Sequence, residues 1–353
     1  MSARHFDRYE EMLGEIYCLT FVRDIDETEA LLRMGGLKDT MRPRTTADAR
    51  EEMRSYDAGY PAIALALSLG EWTVIIEPDG FHGSDGQLLK AVSRGTEALS
   101  VLRHDYAEDH FSFSEDGTVR TSFTGGSAAF RWGTELDRFL PQMRAAGVDL
   151  DADDDRDPLM HPHVAALRLV GQIIGTLPDL PDGPIPSAHI EPWFTAAEPP
   201  AVYRPRQEGL ADALDAAPAA LRRPIIVREV RRLAELLDVA HLPDVAEALS
   251  AAELGRKVDV PADSDLGCRI RGWLVDARRA RDSRNDPAEQ HRMTEDDRSR
   301  AMRLWGLTVA LRGALWWDSR GAAYEALRPI TTDLPWADGA SRCAMILREL
   351  RDR

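Results

Sequence analysis

Eight prolines fall between Pro178 and Pro205 of this 353-residue chain, at 178, 181, 184, 186, 192, 199, 200 and 205. Proline fixes φ and lacks a backbone N–H, so no long regular element is expected through such a density. The stretch is expected to lie across the surface as a strap. Just ahead of it, "DLDADDDRDPLMHPH" (149–163) is an acidic run with prolines that cannot bury itself, and it marks the main domain boundary. The two features divide the chain into residues 1–150, a connector at 151–206 with one apolar helix at about 163–177, and residues 207–353. The length agrees, because ~150 residues is typical of one domain.

The first 150 residues mix helix and strand signals. "DETEALLRMGG" (26–36) opens on a carboxylate cap and closes on glycines, as a short helix does. "AIALALSLG" and "EWTVIIEP" are short apolar, partly alternating runs that predict strands buried on at least one face. "FSFSEDGTVRTSF" alternates around Asp116-Gly117, a strong hairpin signal. "TELDRFLPQMRAAG" (134–147) predicts a helix with Thr134 and Asp137 as its capping box, provided Pro141 lies near the first turn. These signals predict an α+β domain, an antiparallel sheet with helices on one face. From residue 207 the signals are helical. Ile226, Val230, Leu233 and Leu237 recur at i, i+4, i+7 and i+11, with Pro224 in the first turn. Gly255 stands at a C-cap, and Met302–Trp317 is apolar on nearly every side, as a central helix would be. An all-α domain is expected there, a helical bundle or an irregular helical array without a fixed repeat.

Composition narrows function. No apolar run approaches the ~20 residues of a membrane-spanning helix, and the amino terminus lacks the layout of a secretory signal peptide. Three cysteines (Cys18, Cys268, Cys343) without paired spacing predict reduced thiols in a cytoplasm. The net charge is −16, and both parts are acidic: 16 Lys and Arg against 26 Asp and Glu in residues 1–150, 28 against 34 in the remainder. Phosphate contacts need a positive face, so general nucleic-acid binding is disfavoured and a protein partner with a basic surface is the natural electrostatic match.

Each chemical candidate has a structural counterpart. Gly80, Gly83 and Gly86 sit at G-x-x-G-x-x-G spacing, which is neither the dinucleotide fingerprint nor a P-loop. Pro78-Asp79-Gly80 reads as a turn with glycine supplying a positive φ, and Ser84 with Gln87 as the cap of a helix ending at Gly95. Asp151, Asp153 and Asp155 have EF-hand spacing, but Arg156 and Pro162 occupy the glycine and glutamate positions. His161 and His163 lack a third metal ligand nearby. "HDYAEDH" offers His104, Asp105, Glu108, Asp109 and His110 for acid–base work, or an exposed loop between strands. The arginines at 222, 223, 228, 231 and 232, and at 269, 271, 278, 279, 281 and 284, read as solvated faces and ion pairs, or as a local anion-binding groove. No cofactor or metal site is expected.

"CLTFVRDIDETEALLRMGG", "EWTVIIEPDGFHGSD", "VSRGTEALSV" and "FSFSEDGTVRTSF" followed by "RWG" come in an order that resembles an actinobacterial family of uncharacterised proteins. Its core, WTV…EP(N/D)G(F/W)xGS, is here Trp72, Thr73, Val74, Glu77, Pro78, Asp79, Gly80, Phe81, Gly83 and Ser84. Asp79 stands where asparagine is commoner, a change that a turn tolerates. The resemblance covers about residues 14–147 and implies a bacterial cytoplasm but no activity, cofactor or catalytic residue. The expected function is a non-catalytic protein-interaction or immunity-type module. Its candidate binding surface is Trp72, Glu77, Asp79, Phe81, His104, Asp105, Glu108, His110 and Trp132. The alternatives are an enzyme built on the His104–His110 cluster and a regulator binding nucleic acid through helical arginines.

Overall fold

The computed structural model describes residues 3–105, 109–124, 128–150, 162–195, 204–316, 320–332 and 338–352. The chain divides into two compact units, Met1–Ser55 with Pro61–Ala197 and Tyr56–Tyr60 with Glu198–Arg353. The first unit runs α1 (Ala3–Leu13), β1 (Ile16–Arg23), α2 (Glu27–Arg33), β2 (Arg42–Arg44), α3 (Thr46–Met53), β3 (Ala62–Leu69) and β4 (Trp72–Pro78). It continues through α4 (Gly86–Val92), β5 (Glu97–His104), β6 (His110–Glu115), β7 (Thr118–Thr124), α5 (Leu140–Ala146), α6 (Pro162–Ile174) and β8 (Ile185–Ile190). Its eight strands form one sheet in the order β2-β8-β3-β4-β1-β5-β6-β7, each neighbouring pair antiparallel.

The period of two decides which residues meet. Tyr17, Leu19 and Phe21 of β1 point to one face with Val74, Ile76, Leu99, Val101, Phe111 and Phe113. That core is closed by Tyr9 and Leu13 of α1, Met143 of α5 and Leu167 and Val170 of α6. Val22, Ala66, Ile75 and Ala98 point the other way, under Ala30, Leu31 and Met34 of α2 and Leu88, Leu89 and Val92 of α4. Helices therefore cover both faces, not the one expected. All seven residues of β4 are buried, which a strand achieves only when both of its faces are covered.

Two local expectations are corrected. The proline-rich stretch contains β8, which enters the sheet between β2 and β3; Pro186 lies opposite Pro43 of the short edge strand. The helix expected from Thr134 starts at Leu140, with Pro141 in its first turn. The Thr134 N–H and hydroxyl turn to the Val119 carbonyl, so Thr134 and Asp137 cap nothing. Gly147 ends that helix at φ 79°, and the Asp116-Gly117 hairpin turn has φ of 45° and 71°, the double positive value of a type I′ turn.

The second unit contains α7 (Leu210–Ala216), α8 (Ala219–Leu236), α9 (Pro243–Glu253), α10 (Asp265–Asp282), α11 (Glu295–Leu315), α12 (Arg320–Thr331) and α13 (Gly339–Arg351). Ile226, Val230, Leu233 and Leu237 are buried, as their spacing requires. Pro224 is interior, not in the first turn, because α8 begins at Ala219 after Pro218. α11 packs against α8, α9, α10 and α12. Gly313 lets α12 approach closely: a Cβ there would stand 2.4 Å from Ala322 O. The Tyr56–Tyr60 turn is gripped by Arg278, Arg279 and Arg292, whose guanidiniums reach Gly59 O, Tyr56 O and the Asp57 carboxylate.

Candidate functional site

The turn leaving β4 is built around Glu77, a carboxylate with 1% exposure that follows the apolar run Val74-Ile75-Ile76. A buried charge must be paired or hydrogen-bonded. Here the chain folds back over it. The Gly83 N–H donates to Glu77 Oε1 at 2.7 Å, and the His82 N–H and Nδ1 reach Oε2 at 2.9 and 3.1 Å. Two successive backbone N–H groups of this kind are what an anion-binding turn offers a phosphate. In this fold they are already filled by the chain's own carboxylate.

Asp79 takes the left-handed conformation (φ 49°), whereas the turn was expected to place it at Gly80. Aspartate tolerates that region, and its carboxylate is held by Arg50 and Arg54 at 3.0 Å each. Asp85, not Ser84, caps α4, accepting from the N–H groups of Gln87 and Leu88 at 2.7 and 3.1 Å. The Ser84 hydroxyl instead donates to Phe81 O at 2.7 Å. Between them Phe81 stands 54% exposed, its ring stacked on that of His82 with centroids 5.4 Å apart and planes 8° apart.

Beneath the turn the sheet is made of small side chains. Thr20, Ser100, Ser112 and Ser122 occupy one rung across β1, β5, β6 and β7, and all four are buried. The neighbouring rung carries Glu77, Cys18, Leu102 and His110. The turn lies tight on this layer. A Cβ on Gly83 would stand 2.1 Å from Thr20 Oγ1 and 2.9 Å from Glu77 Oε1. Burial, then the Glu77 charge, pushes the Cys18 thiol well up, so Cys18 is no thiolate nucleophile at neutral pH. For His82 burial alone would lower the pKa, but the hydrogen bond and charge of Glu77, with Glu191 and Asp85 farther off, raise it.

Of the His104–His110 cluster, Asp105 and Asp109 stay close around Arg103, and His110 contacts Ser122 and Trp132. Asp105 pairs with Arg103 at 2.8 Å, and Arg103 with Glu10 at 3.1 Å. Asp109 accepts from the His104 N–H at 3.0 Å, and burial raises its pKa. His110 Nε2 lies 3.1 Å from Ser122 Oγ, and its ring packs against Trp132 at 5.6 Å. Trp132 is 45% exposed and forms a bridge with Ser122 at the outer strand. Trp72 is in the core, beside the Arg23 guanidinium. Glu108 lies outside the described residues, as do His161 and the aspartates of the EF-hand-like run; His163 is buried on α6. Among the described residues no group of three or more His, Cys, Asp or Glu could hold a metal ion, and no helix is long and apolar enough to cross a membrane.

In the helical unit, Arg228, Arg231, Arg232 and Arg342 line a groove of about 400 Å³ between α8 and α13. Each has a carboxylate partner: Glu349, Glu253, and for the last two the fully buried Glu229.

Sequence reasoning singled out Glu77 and Phe81 but missed Cys18, Thr20 and His82. The available signal was the glutamate ending the apolar run "WTVIIE", which needs donors from whatever follows it. Residues 4–176 match the model of a family of unknown function (DUF6461). The match covers the turn, its supporting strands and α1 to α6, and it stops short of β8, which shares their sheet. No curated protein and no solved structure matches the chain.

Proposed function

We propose that this chain is a non-catalytic protein-interaction module whose docking surface is centred on Phe81 and Trp132. The supporting observation is two half-exposed aromatic rings, 54% and 45%, one beside the turn held by Glu77 and one packed on His110 of the same rung. Cys18 and His110 share a rung two strands apart, about 10 Å at the usual strand spacing. Phe130, 78% exposed, adds a third ring beside Trp132 in sequence. Rigid, exposed aromatics are the side chains that anchor interfaces, because they bury much area at little cost in rotamer freedom.

The polar groups that could have served catalysis support the same reading. Both oxygens of Glu77 accept hydrogen bonds from the turn, and Asp105 and Asp109 are engaged by Arg103 and the His104 N–H. The net charge of −16 favours a partner with a basic surface, and a bacterial cytoplasm is the proposed compartment. The test is affinity capture from the native host by the wild type and by Phe81→Ser/Trp132→Ser, read by quantitative mass spectrometry. A partner recovered in stoichiometric amount by the wild type and depleted about tenfold or more by the variant is expected, with the melting temperature changed little. Equal recovery by both proteins would reject the surface.

A further inference from the structure

We propose that Glu77 and His82 form a protonation-controlled latch on the turn that carries Phe81, the charged imidazole holding the turn against the sheet and the neutral ring slackening it. The proposal rests on the docking surface above and adds regulation to it. Glu77 is buried and bonded to three donors, all supplied by two consecutive residues, His82 and Gly83. Two of those donors are backbone N–H groups that carry no charge at any pH. The third sits on a ring that can gain a proton, so the turn is held by a charge-assisted contact in one state and by neutral hydrogen bonds in the other.

The surroundings bias the ring toward its charged form. His82 faces Glu77 on β4, Asp85 at the cap of α4, Glu191 after β8 and the Cys18 region of β1, where the thiol stays protonated. Three carboxylates, Glu77, Glu191 and Asp85, favour its charged form. The pKa is raised accordingly, which fixes the sign. Latch strength is fully present below the unfolded value near 6.5 and is lost as pH rises through the folded value. Because Phe81 is stacked on His82 with nearly parallel rings, a shift of the imidazole moves the exposed aromatic with it.

The experiment uses the full chain without a partner, so a failed docking surface and a failed latch give different results. Histidine side-chain 15N shifts follow His82 from pH 5.5 to 9, and amide-exchange protection of His82 and Gly83 is measured alongside, corrected for the intrinsic pH dependence of exchange. In the wild type Gly83 protection should fall roughly fivefold or more across the range, with its midpoint on the His82 titration, above 6.5. His82→Asn keeps a neutral donor near the Nδ1 position. It should leave protection independent of pH at the wild-type alkaline level while the rest of the sheet stays fully protected. Glu77→Gln should return the His82 midpoint to 6.5 or below. A protection profile that is the same in wild type and His82→Asn, or a wild-type His82 midpoint at or below 6.5, would overturn the latch.

Discussion

At the scale of single residues, Gly83 shows how tightly the turn is specified. The space its missing Cβ would need is filled by Thr20 Oγ1 on one side and Glu77 Oε1 on another, both on buried strands that have nowhere to move. Gly83→Ala should therefore destabilise the protein by about 2 kcal/mol, the usual cost of forcing extra volume into a close-packed site. Adding Thr20→Ala removes the nearer atom and should recover part of that loss, because residues in contact are not additive. Urea denaturation of the two variants checks this; equal stability of Gly83→Ala and wild type would show that the turn is looser than the geometry implies. Glu77 was legible as an oddity in an apolar run, yet its donors were not. The His82 ring and the Gly83 N–H come to it only because Asp79 turns the chain through a left-handed conformation that the letters Pro-Asp-Gly do not assign to one residue.

Between elements, buried charge does the equivalent work in the helical unit. Glu229 of α8 is fully buried and accepts from Arg232 at 2.6–2.9 Å and from Arg342 of α13 at 2.5–3.0 Å, which joins the two helices. Replacing it by glutamine leaves two guanidiniums facing a neutral group. Glu229→Gln should cost about 3 kcal/mol, as breaking a buried pair generally does. Hydrogen exchange within α13 should rise first, and unchanged protection there would show that the helix is held without Glu229, by the apolar contacts of Ile346 and Leu350 and the Arg228–Glu349 pair. Arginine runs in the sequence suggested ion pairs or an anion-binding groove; ion pairs form, and the arginines that line the groove are paired with the chain's own carboxylates. Which carboxylate meets which arginine was not legible, because Arg342 lies 113 residues from Glu229.

For the whole molecule, charge sets how it meets others. A net −16 spread over both parts of the sequence, with 44 basic against 60 acidic residues, gives a field that attracts basic surfaces at long range and is screened by salt. Binding of the proposed basic partner should weaken about tenfold between 50 and 300 mM salt, chiefly through a slower association rate. Surface plasmon resonance at four salt concentrations measures it. Salt-independent association would mean that the aromatic rings act without electrostatic steering.

Local chemistry determined a good deal by itself. The Asp116-Gly117 hairpin, the capped helix Glu27–Arg33, the buried β4 strand and the change from mixed to all-helical structure all follow from periods of 2 and 3.6 and from residues with special φ. Tertiary structure alone decided that β8 enters the sheet beside β3, that helices cover both faces, and that Thr20, Glu77 and Gly83 meet at one point. The reason is register. A strand's neighbours are chosen by burying two faces at once, and that choice joins residues far apart in the chain whose own surroundings in sequence say nothing of one another.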